Sequence, residues 1–283
     1  MIPDLPPAEL ARRYNNGEAV PDWRETLLPR WQRDGEAVRR DAGGRRDVVY
    51  GPRPRNRYDL FTPRGAAPLA GRPTFVFIHG GYWQQLSKDD WSAIAAPFVN
   101  HGMAAVIVGY TLCPENTVRG IADEIVAAVN HLWQHAAELG VDRERLSLAG
   151  HSAGGHLTAW CMTEDWPSLG LPAAPFASAT AISGLFDVEP LVPIYLNDAL
   201  RLTRADALKA SPAYRERRVD CEFTAAVGGA ELPEFLRQNA LIGQQWSGVA
   251  EWVLPGLNHF TIVDQLMRDD TALFGHVASK LRP

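Results

Sequence analysis

Short apolar runs alternate along this chain with segments in which apolar residues recur every three or four positions. The runs are rich in Val, Ile, Phe and Ala, which is typical of buried strands. Helical spacing is clearest from Val118 to Leu132, and Gly140 ends that helix. The predicted strands are 46–51, 57–63, 74–78, 104–110, 145–149, 177–182, 221–227 and 251–254. The other predicted helices are 9–14, 23–40, 90–100, 153–163, 233–246 and 261–281.

Strands that alternate with helices predict an α/β fold, with a mainly parallel sheet and helices on both of its faces. A length of 283 residues suits a single domain, 1–283. Residues 1–45 are polar and rich in Arg, Trp and Pro, and we expect a helical N-terminal arm outside the sheet. Residues 189–214 are irregular and rich in Leu, and they are a candidate for a small cap or lid.

The most informative motif lies at the end of the strand 145–149. Residues 150–154 read Gly-His-Ser-Ala-Gly, and a segment compatible with a helix follows. A strand, a G-x-S-x-G turn and a helix form the nucleophile elbow of an α/β-hydrolase, in which the turn exposes the serine hydroxyl. The pattern alone also arises by chance in small-residue turns. Its context favours Ser152 as a nucleophile.

A second motif follows the strand 74–78, where residues 79–83 read His-Gly-Gly-Tyr-Trp. In lipases and esterases this loop donates backbone N–H groups to the oxyanion of the reaction. Two independent elements in the right order make a coincidence implausible. We therefore predict an oxyanion hole built from the backbone N–H groups of Gly81, Tyr82 and Ala153.

The general base should be a histidine that follows the nucleophile in the chain. His156 falls within the elbow helix and His276 within the terminal helix, where we expect packing and surface roles. His259 lies in the turn-rich loop after the last predicted strand. Because sites gather at the carboxyl ends of parallel strands, His259 is the predicted base.

The acid that orients this histidine should follow the strand 221–227. Glu231 stands in the turn after that strand, and Glu234 lies in the following helix, where we expect only an exposed charge. A turn position reaches inward more easily, which favours Glu231. Asp187 also follows a strand and remains an outside candidate.

Composition excludes several other classes of function. The chain is 46% hydrophobic with a formal net charge of −5, and its arginine-rich stretch 39–57 is interrupted by Asp41 and Asp47. We therefore expect no nucleic-acid partner.

Three cysteines without metal spacing favour a reducing compartment. With no secretory signal visible and no apolar run of membrane-spanning length, we expect a cytoplasmic protein without a membrane partner. No metal or organic cofactor is indicated. The Trp- and Pro-rich arm is a candidate contact for a homodimer.

These motifs resemble those of the kynurenine formamidase (arylformamidase) group of α/β-hydrolases, which is related to hormone-sensitive-lipase-like esterases. The resemblance runs from about Tyr14 to Phe260, through the loop 79–83, the elbow 150–156 and the segments 183–191 and 233–235. The related esterases usually have a third glycine where this chain has Tyr82. The resemblance places Glu231 on the acid position, where the group commonly has Asp. The fold accepts either acid.

The resemblance implies hydrolysis of N-formyl-L-kynurenine to kynurenine and formate, through an acyl-enzyme on Ser152. The substrate partner would be a small acyl amide or ester. We expect Tyr82 and Trp83 to line the substrate pocket, with core packing beneath the loop as the alternative. Trp160, Trp166 and Tyr195 are further candidate walls, although core or lid packing is favoured for them. A short-chain carboxylesterase with the same triad is the alternative function. A non-catalytic binding protein is disfavoured by the intact triad.

Overall fold

An eight-stranded sheet forms the centre of the protein in a computed structural model that describes residues 5–281. The sheet order is β1-β2-β4-β3-β5-β6-β7-β8, with antiparallel pairing of β1 with β2 and of β2 with β4. All other neighbouring strands are parallel, so the predicted mainly parallel α/β architecture is confirmed. The strands are β1 (Gly43–Val49), β2 (Arg57–Thr62), β3 (Arg72–Ile78), β4 (Ala104–Val108), β5 (Val141–His151), β6 (Ser178–Ile182), β7 (Glu222–Gly228) and β8 (Val249–Leu254).

The helices precede the sheet, cross between its strands and follow it. They are α1 (Pro7–Arg13), α2 (Asn16–Ala19), α3 (Trp23–Asp41), α4 (Ala95–Asn100), α5 (Val118–Gln134), α6 (Ala136–Leu139), α7 (Ala153–Cys161), α8 (Asn197–Leu200), α9 (Arg204–Lys209), α10 (Pro233–Gln245), α11 (Thr261–Asp264) and α12 (Ala272–Ser279). Short 3₁₀ segments cover Lys88–Ile94, Trp166–Leu169, Glu189–Leu191, Pro212–Tyr214 and Gln265–Met267. Within residues 5–281, no helix has both the length and the apolar character that a bilayer crossing requires.

Side-chain alternation along the central strands divides the core into two layers. On β3, Phe75 and Phe77 belong to one buried cluster, whereas Val76 and Ile78 belong to the other. Phe75 stacks on Phe98 of α4 with ring centroids 4.0 Å apart, on the face that α3 and α12 also cover. Helices α5, α7 and α10 cover the opposite face. Both faces are therefore apolar, which explains why these strands are continuous apolar runs.

Two predicted helices are interrupted. The segment predicted at 90–100 begins as the 3₁₀ turn Lys88–Ile94 before α4. The terminal segment predicted at 261–281 contains α11, a 3₁₀ turn and α12, because Thr271 caps a new helix by accepting a hydrogen bond from the backbone N–H of Phe274.

The topology gathers the candidate residues at one edge of the sheet. The loop 79–83 follows β3, Ser152 follows β5, Glu231 follows β7 and His259 follows β8. Because these four strands are parallel, their carboxyl ends meet at the same edge. The segment 189–214 folds into α8, α9 and two 3₁₀ turns, and whether it moves as a lid stays a prediction.

Candidate active site

Ser152 occupies a strained turn between β5 and α7. Its φ of 58° and ψ of −117° lie in a region that non-glycine residues rarely adopt. The turn is possible because small residues let the backbones pass closely: a Cβ atom built on Gly154 would lie 2.0 Å from the carbonyl oxygen of Ile78. The N–H of Ser152 donates to the carbonyl of Ile182 at 2.8 Å and fixes the elbow to β6. The sequence motif therefore forms the predicted elbow geometry.

His259 and Glu231 form a buried pair. The ring Nδ1 of His259 lies 2.7 Å from Oε2 of Glu231. The other carboxylate oxygen of Glu231 accepts from Ser183 Oγ at 2.5 Å and from the N–H of Gly228 at 2.7 Å. These contacts fix the carboxylate as an acceptor. Nδ1 of His259 must carry the hydrogen, because a carboxylate held in this way can only accept.

With the hydrogen on Nδ1, the other ring nitrogen of a neutral His259, Nε2, is a hydrogen-bond acceptor. Within residues 5–281, neither Nε2 of His259 nor Oγ of Ser152 has a hydrogen-bond partner, and the two atoms are not bonded to each other in this structure. Ser152 and His259 nevertheless line the same cavity. Catalytic hydrogen bonds are often long in free enzymes and tighten when substrate binds, so this arrangement is compatible with base catalysis.

The backbone N–H groups of Gly81, Tyr82 and Ala153 are among those that have no hydrogen-bond acceptor within residues 5–281. Gly81 has a φ of 112°, and a Cβ atom there would lie 2.2 Å from the carbonyl oxygen of Gln85, so glycine is required. Unused N–H groups next to a nucleophile are what an oxyanion hole needs. The role of these three residues stays a prediction.

Tyr82 lies in the predicted oxyanion loop, residues 79–83, with a φ of 50°, and it lines the same cavity as Ser152. Its hydroxyl donates to the backbone carbonyl of Tyr14 at 2.6 Å. Burial raises the pKa of Tyr82 well above its ordinary value, so the hydroxyl keeps its proton. This bond ties the oxyanion loop to the N-terminal arm.

Trp83 corrects one expectation about the pocket. Its side chain is fully buried, packs edge-on against the ring of His156 at a centroid distance of 4.9 Å, and does not line the cavity. Trp83 therefore packs in the core beneath the loop, which was the alternative expectation. Trp160 and Trp166 are also fully buried, whereas Tyr195 is half-exposed and lines the cavity.

The cavity has a volume of about 250 Å³ and opens beside Ser152. Its walls come from the elbow, the oxyanion loop and the residues 84–86 after it, Trp91, the His259 loop, residues 195–196 and the N-terminal arm. The arm contributes Asn15, Asn16, Gly17, Trp23 and Arg24. Sequence reasoning missed these residues by treating the arm as separate from the site. The only sign in the sequence that the arm contributes to the site was an apolar Trp23 and two asparagines within an otherwise polar segment.

The other candidate acids lie apart from His259. Glu234 is buried rather than exposed, and its Oε2 accepts from Arg237 Nε at 2.6 Å and from Tyr14 at 3.3 Å. It holds α10 and the arm together. Asp187 is buried, and burial raises its pKa. Neither carboxylate has a hydrogen bond to His259, so the structure brings only Glu231 to the base.

The other histidines after Ser152 have structural contacts. His156 is fully buried, and its Nε2 donates to the carbonyl of Ala210 at 2.7 Å, which anchors α7 to the segment 189–214. His276 lies 3.0 Å from the hydroxyl of Thr224 and is half-buried rather than on the surface. The expected surface position of His276 is therefore wrong, and neither histidine lines the cavity that Ser152 lines.

His151, which precedes the serine, packs against the base. The two rings are 4.6 Å apart, and Nε2 of His151 donates to the carbonyl of His259 at 2.8 Å. Burial holds the pKa of His151 well below its ordinary value, and the charge of His259 lowers it further. His151 therefore stays neutral and does not repel a protonated His259.

Among residues 5–281, no group of three or more His, Cys, Asp or Glu side chains is placed to hold a metal ion. The site's chemical groups are instead a hydroxyl, an imidazole paired with a carboxylate, and unused backbone N–H donors. Such a set can transfer an acyl group from an ester or amide to a serine.

Comparison with known proteins identifies similar hydrolases. Residues 58–167 match the BD-FAE family model. Kynurenine formamidase of Danio rerio is 30% identical over 241 residues, which is 80% of this chain and 78% of that protein. The kynurenine formamidase of Salmo salar is 29% identical and covers 79% of this chain and 77% of its own.

Solved structures agree with this result. A crystal structure of a proposed thioesterase from Silicibacter sp. TM1040 superposes with a TM-score of 0.82 and 33% identity, over 95% of this chain and 99% of that one. Esterase B from Lactobacillus rhamnosus superposes with a TM-score of 0.71 over 96% and 94% of the two chains, but at 18% identity it supports the fold alone. The α/β-hydrolase fold predicted from the elbow is thereby confirmed.

Proposed function

The chain belongs to the kynurenine formamidase family of α/β-hydrolases, and from that premise we propose that it hydrolyses N-formyl-L-kynurenine or a similar formyl arylamine through an acyl-enzyme on Ser152. The names of its relatives, kynurenine formamidase and isoprenylcysteine alpha-carbonyl methylesterase, denote hydrolysis of an amide and of an ester. The observation that supports the finer proposal is the 2.7 Å Glu231–His259 pair: His259 lines the same cavity as Ser152, whose strained backbone forms the elbow.

In the first step, Nε2 of His259 removes the proton of Ser152 as Oγ forms a bond to the formyl carbon. The carbonyl electron pair moves to oxygen, and the N–H groups of Gly81, Tyr82 and Ala153 stabilise the oxyanion. Each such donor typically contributes about 3–4 kcal/mol to the transition state. Glu231 stabilises the imidazolium that forms, and the neutral His151 adds no opposing charge.

The oxyanion then re-forms the carbonyl as the C–N bond breaks, and the arylamine leaves with the proton from His259, which completes acylation. The formyl group is then an ester of Ser152. Water, deprotonated by His259, attacks this ester, and the C–Oγ bond breaks to release formate. The proton returns to Ser152 Oγ, which restores the resting enzyme.

A short-chain carboxylesterase is the second candidate function. The same hydroxyl, base and oxyanion donors hydrolyse esters as well as amides, and the similar Silicibacter protein is a proposed thioesterase. The two functions differ in the group that leaves and in the acyl group that the cavity accepts. Tyr82 lines the cavity, and the bulk of its side chain at this position supports a small acyl group such as formyl.

The test is a comparison of kcat/KM for N-formyl-L-kynurenine with kcat/KM for p-nitrophenyl formate, acetate, butyrate and octanoate. We expect efficient turnover of N-formyl-L-kynurenine and a decline along the ester series. A missed contact or poor steric fit costs about 1–3 kcal/mol, so the decline should be graded. Undetectable turnover of N-formyl-L-kynurenine beside efficient acetate hydrolysis would assign the chain to the esterases.

A further inference from the structure

Arg24 provides a positive charge at the mouth of the cavity. It lies in the first turn of α3, is exposed to solvent, and lines the same cavity as Ser152. Its Nη2 donates to Oε1 of Gln85 at 2.5 Å, and its guanidinium carbon lies 4.5 Å from the centroid of the Trp23 ring. Both contacts are with neutral groups. They orient the guanidinium without compensating its charge.

Arg24 differs in this respect from the other arginines of α3. Each of the others has a carboxylate partner: Arg30 with Asp264, Arg33 with Asp34, Arg39 with Asp59 and Arg40 with Asp41. Within residues 5–281, no carboxylate lies within 4.0 Å of the Arg24 guanidinium, and no Asp or Glu lines the cavity. Asp22 and Glu25, its neighbours in sequence, are exposed and form no ion pair with it.

An aromatic wall connects Arg24 to the base. The ring of Trp23 stacks on that of Phe260 with centroids 4.3 Å apart and planes inclined by 12°. Phe260 is adjacent in sequence to His259, and both aromatic residues line the cavity. A substrate that extends from Ser152 along this wall would bring the far end of its leaving group to the guanidinium.

We propose that Arg24 binds a carboxylate on the leaving group of the substrate, so that the site selects anionic aryl amides or esters over neutral ones. The reaction type rests on the proposed function, whereas the anion selectivity rests on the position and contacts of Arg24. A guanidinium offers a planar pair of donors that fits a carboxylate, and the contact with Gln85 reduces the ordering that binding requires. The exposed position predicts that added salt weakens the selectivity.

The test uses 4-acetoxybenzoate and its methyl ester, which share the acetyl group and differ in the charge of the leaving group. The measured quantity is the ratio of kcat/KM for the anion to kcat/KM for the neutral ester. In Arg24→Gln we expect this ratio to fall by roughly tenfold, chiefly through a higher KM for the anion. Arg24→Lys should retain part of the ratio, because it keeps the charge and loses the planar fork.

Arg33→Gln is the matched control, since Arg33 lies on the same helix, is exposed, and does not line the cavity. The ratio of kcat/KM values in Arg33→Gln should equal that of the wild type. In a separate measurement, the wild-type ratio should decrease as the salt concentration is raised from about 0.02 M to about 0.5 M, roughly from weak to strong screening. An unchanged ratio in Arg24→Gln, with an unchanged thermal midpoint, would overturn the proposal.

The same ester pair separates this proposal from the proposed function. If N-formyl-L-kynurenine is not hydrolysed but the ester ratio still depends on Arg24, the formamidase assignment fails and the carboxylate site stands. If N-formyl-L-kynurenine is hydrolysed equally well by the wild type and Arg24→Gln, the formamidase assignment stands and the carboxylate site fails.

Discussion

Replacing Glu231 with glutamine tests how the base is oriented. The carboxylate accepts three hydrogen bonds, from His259, Ser183 and the N–H of Gly228. Glutamine keeps the shape but has one acceptor oxygen and one NH₂ donor. If the NH₂ group faces His259, the ring must change tautomer and place its hydrogen on Nε2, where it can no longer accept a proton. If the NH₂ group faces Gly228 instead, it meets the backbone N–H of Gly228, and two hydrogen-bond donors point at each other.

Either arrangement removes the charge that stabilises the imidazolium. In the serine protease template, the equivalent change of acid to amide lowers kcat by about 10⁴-fold. We therefore expect Glu231→Gln to lower kcat by roughly 10³- to 10⁴-fold, which corresponds to about 4–5.5 kcal/mol of transition-state stabilisation. The KM should change little, because Glu231 does not line the cavity.

Glu234→Gln is the matched control. Glu234 is also buried and also bonded, but to Arg237 and Tyr14 rather than to the base. Its removal should lower stability by about 1–3 kcal/mol while kcat stays within a few-fold of the wild type. The assay is kcat for p-nitrophenyl acetate and the thermal midpoint of all three proteins. A larger loss of kcat in Glu234→Gln than in Glu231→Gln would refute the acid assignment.

Two other perturbations test separate parts of the account. Burial lowers the pKa of His156 from 6.5 to about 4, so its contribution to stability is complete above pH 6.5 and is lost as the pH falls towards 4, by about 3 kcal/mol. The free energy of unfolding should therefore fall less steeply with decreasing pH in His156→Gln, and equal slopes would contradict this reasoning. Tyr82→Gly removes the ring that Tyr14 holds in the cavity wall, so kcat/KM for p-nitrophenyl butyrate relative to acetate should rise by up to roughly tenfold. An unchanged ratio would mean that Tyr82 does not narrow the acyl side.

The sheet was predictable because its physical cause is local. Strands buried on both faces are composed mostly of apolar residues, and β4, which is apolar at every position, is buried throughout. Turn chemistry located the elbow and the oxyanion loop, since only small residues permit the close approach at Gly154 and the positive φ at Gly81. These constraints appear in the sequence next to the residues they serve.

The arm and the buried charges were not predictable for the opposite reason. Tyr14, Trp23 and Arg24 reach the site only through tertiary contacts, with Tyr82, Phe260 and Gln85 respectively. Glu234 was expected to be exposed because charged residues usually are, and its burial depends on Arg237 and Tyr14. Local pattern contains no information about such partners.

Turnover of N-formyl-L-kynurenine by the wild type and by Ser152→Ala tests the central claim most directly. The substitution removes one oxygen atom and leaves the backbone contacts of the elbow in place. The account predicts that the wild type releases formate efficiently and that kcat in Ser152→Ala falls by at least about 10⁴-fold, with unchanged circular dichroism and thermal midpoint. Activity of Ser152→Ala within about tenfold of the wild type, too small a loss for a missing nucleophile, would contradict the serine mechanism.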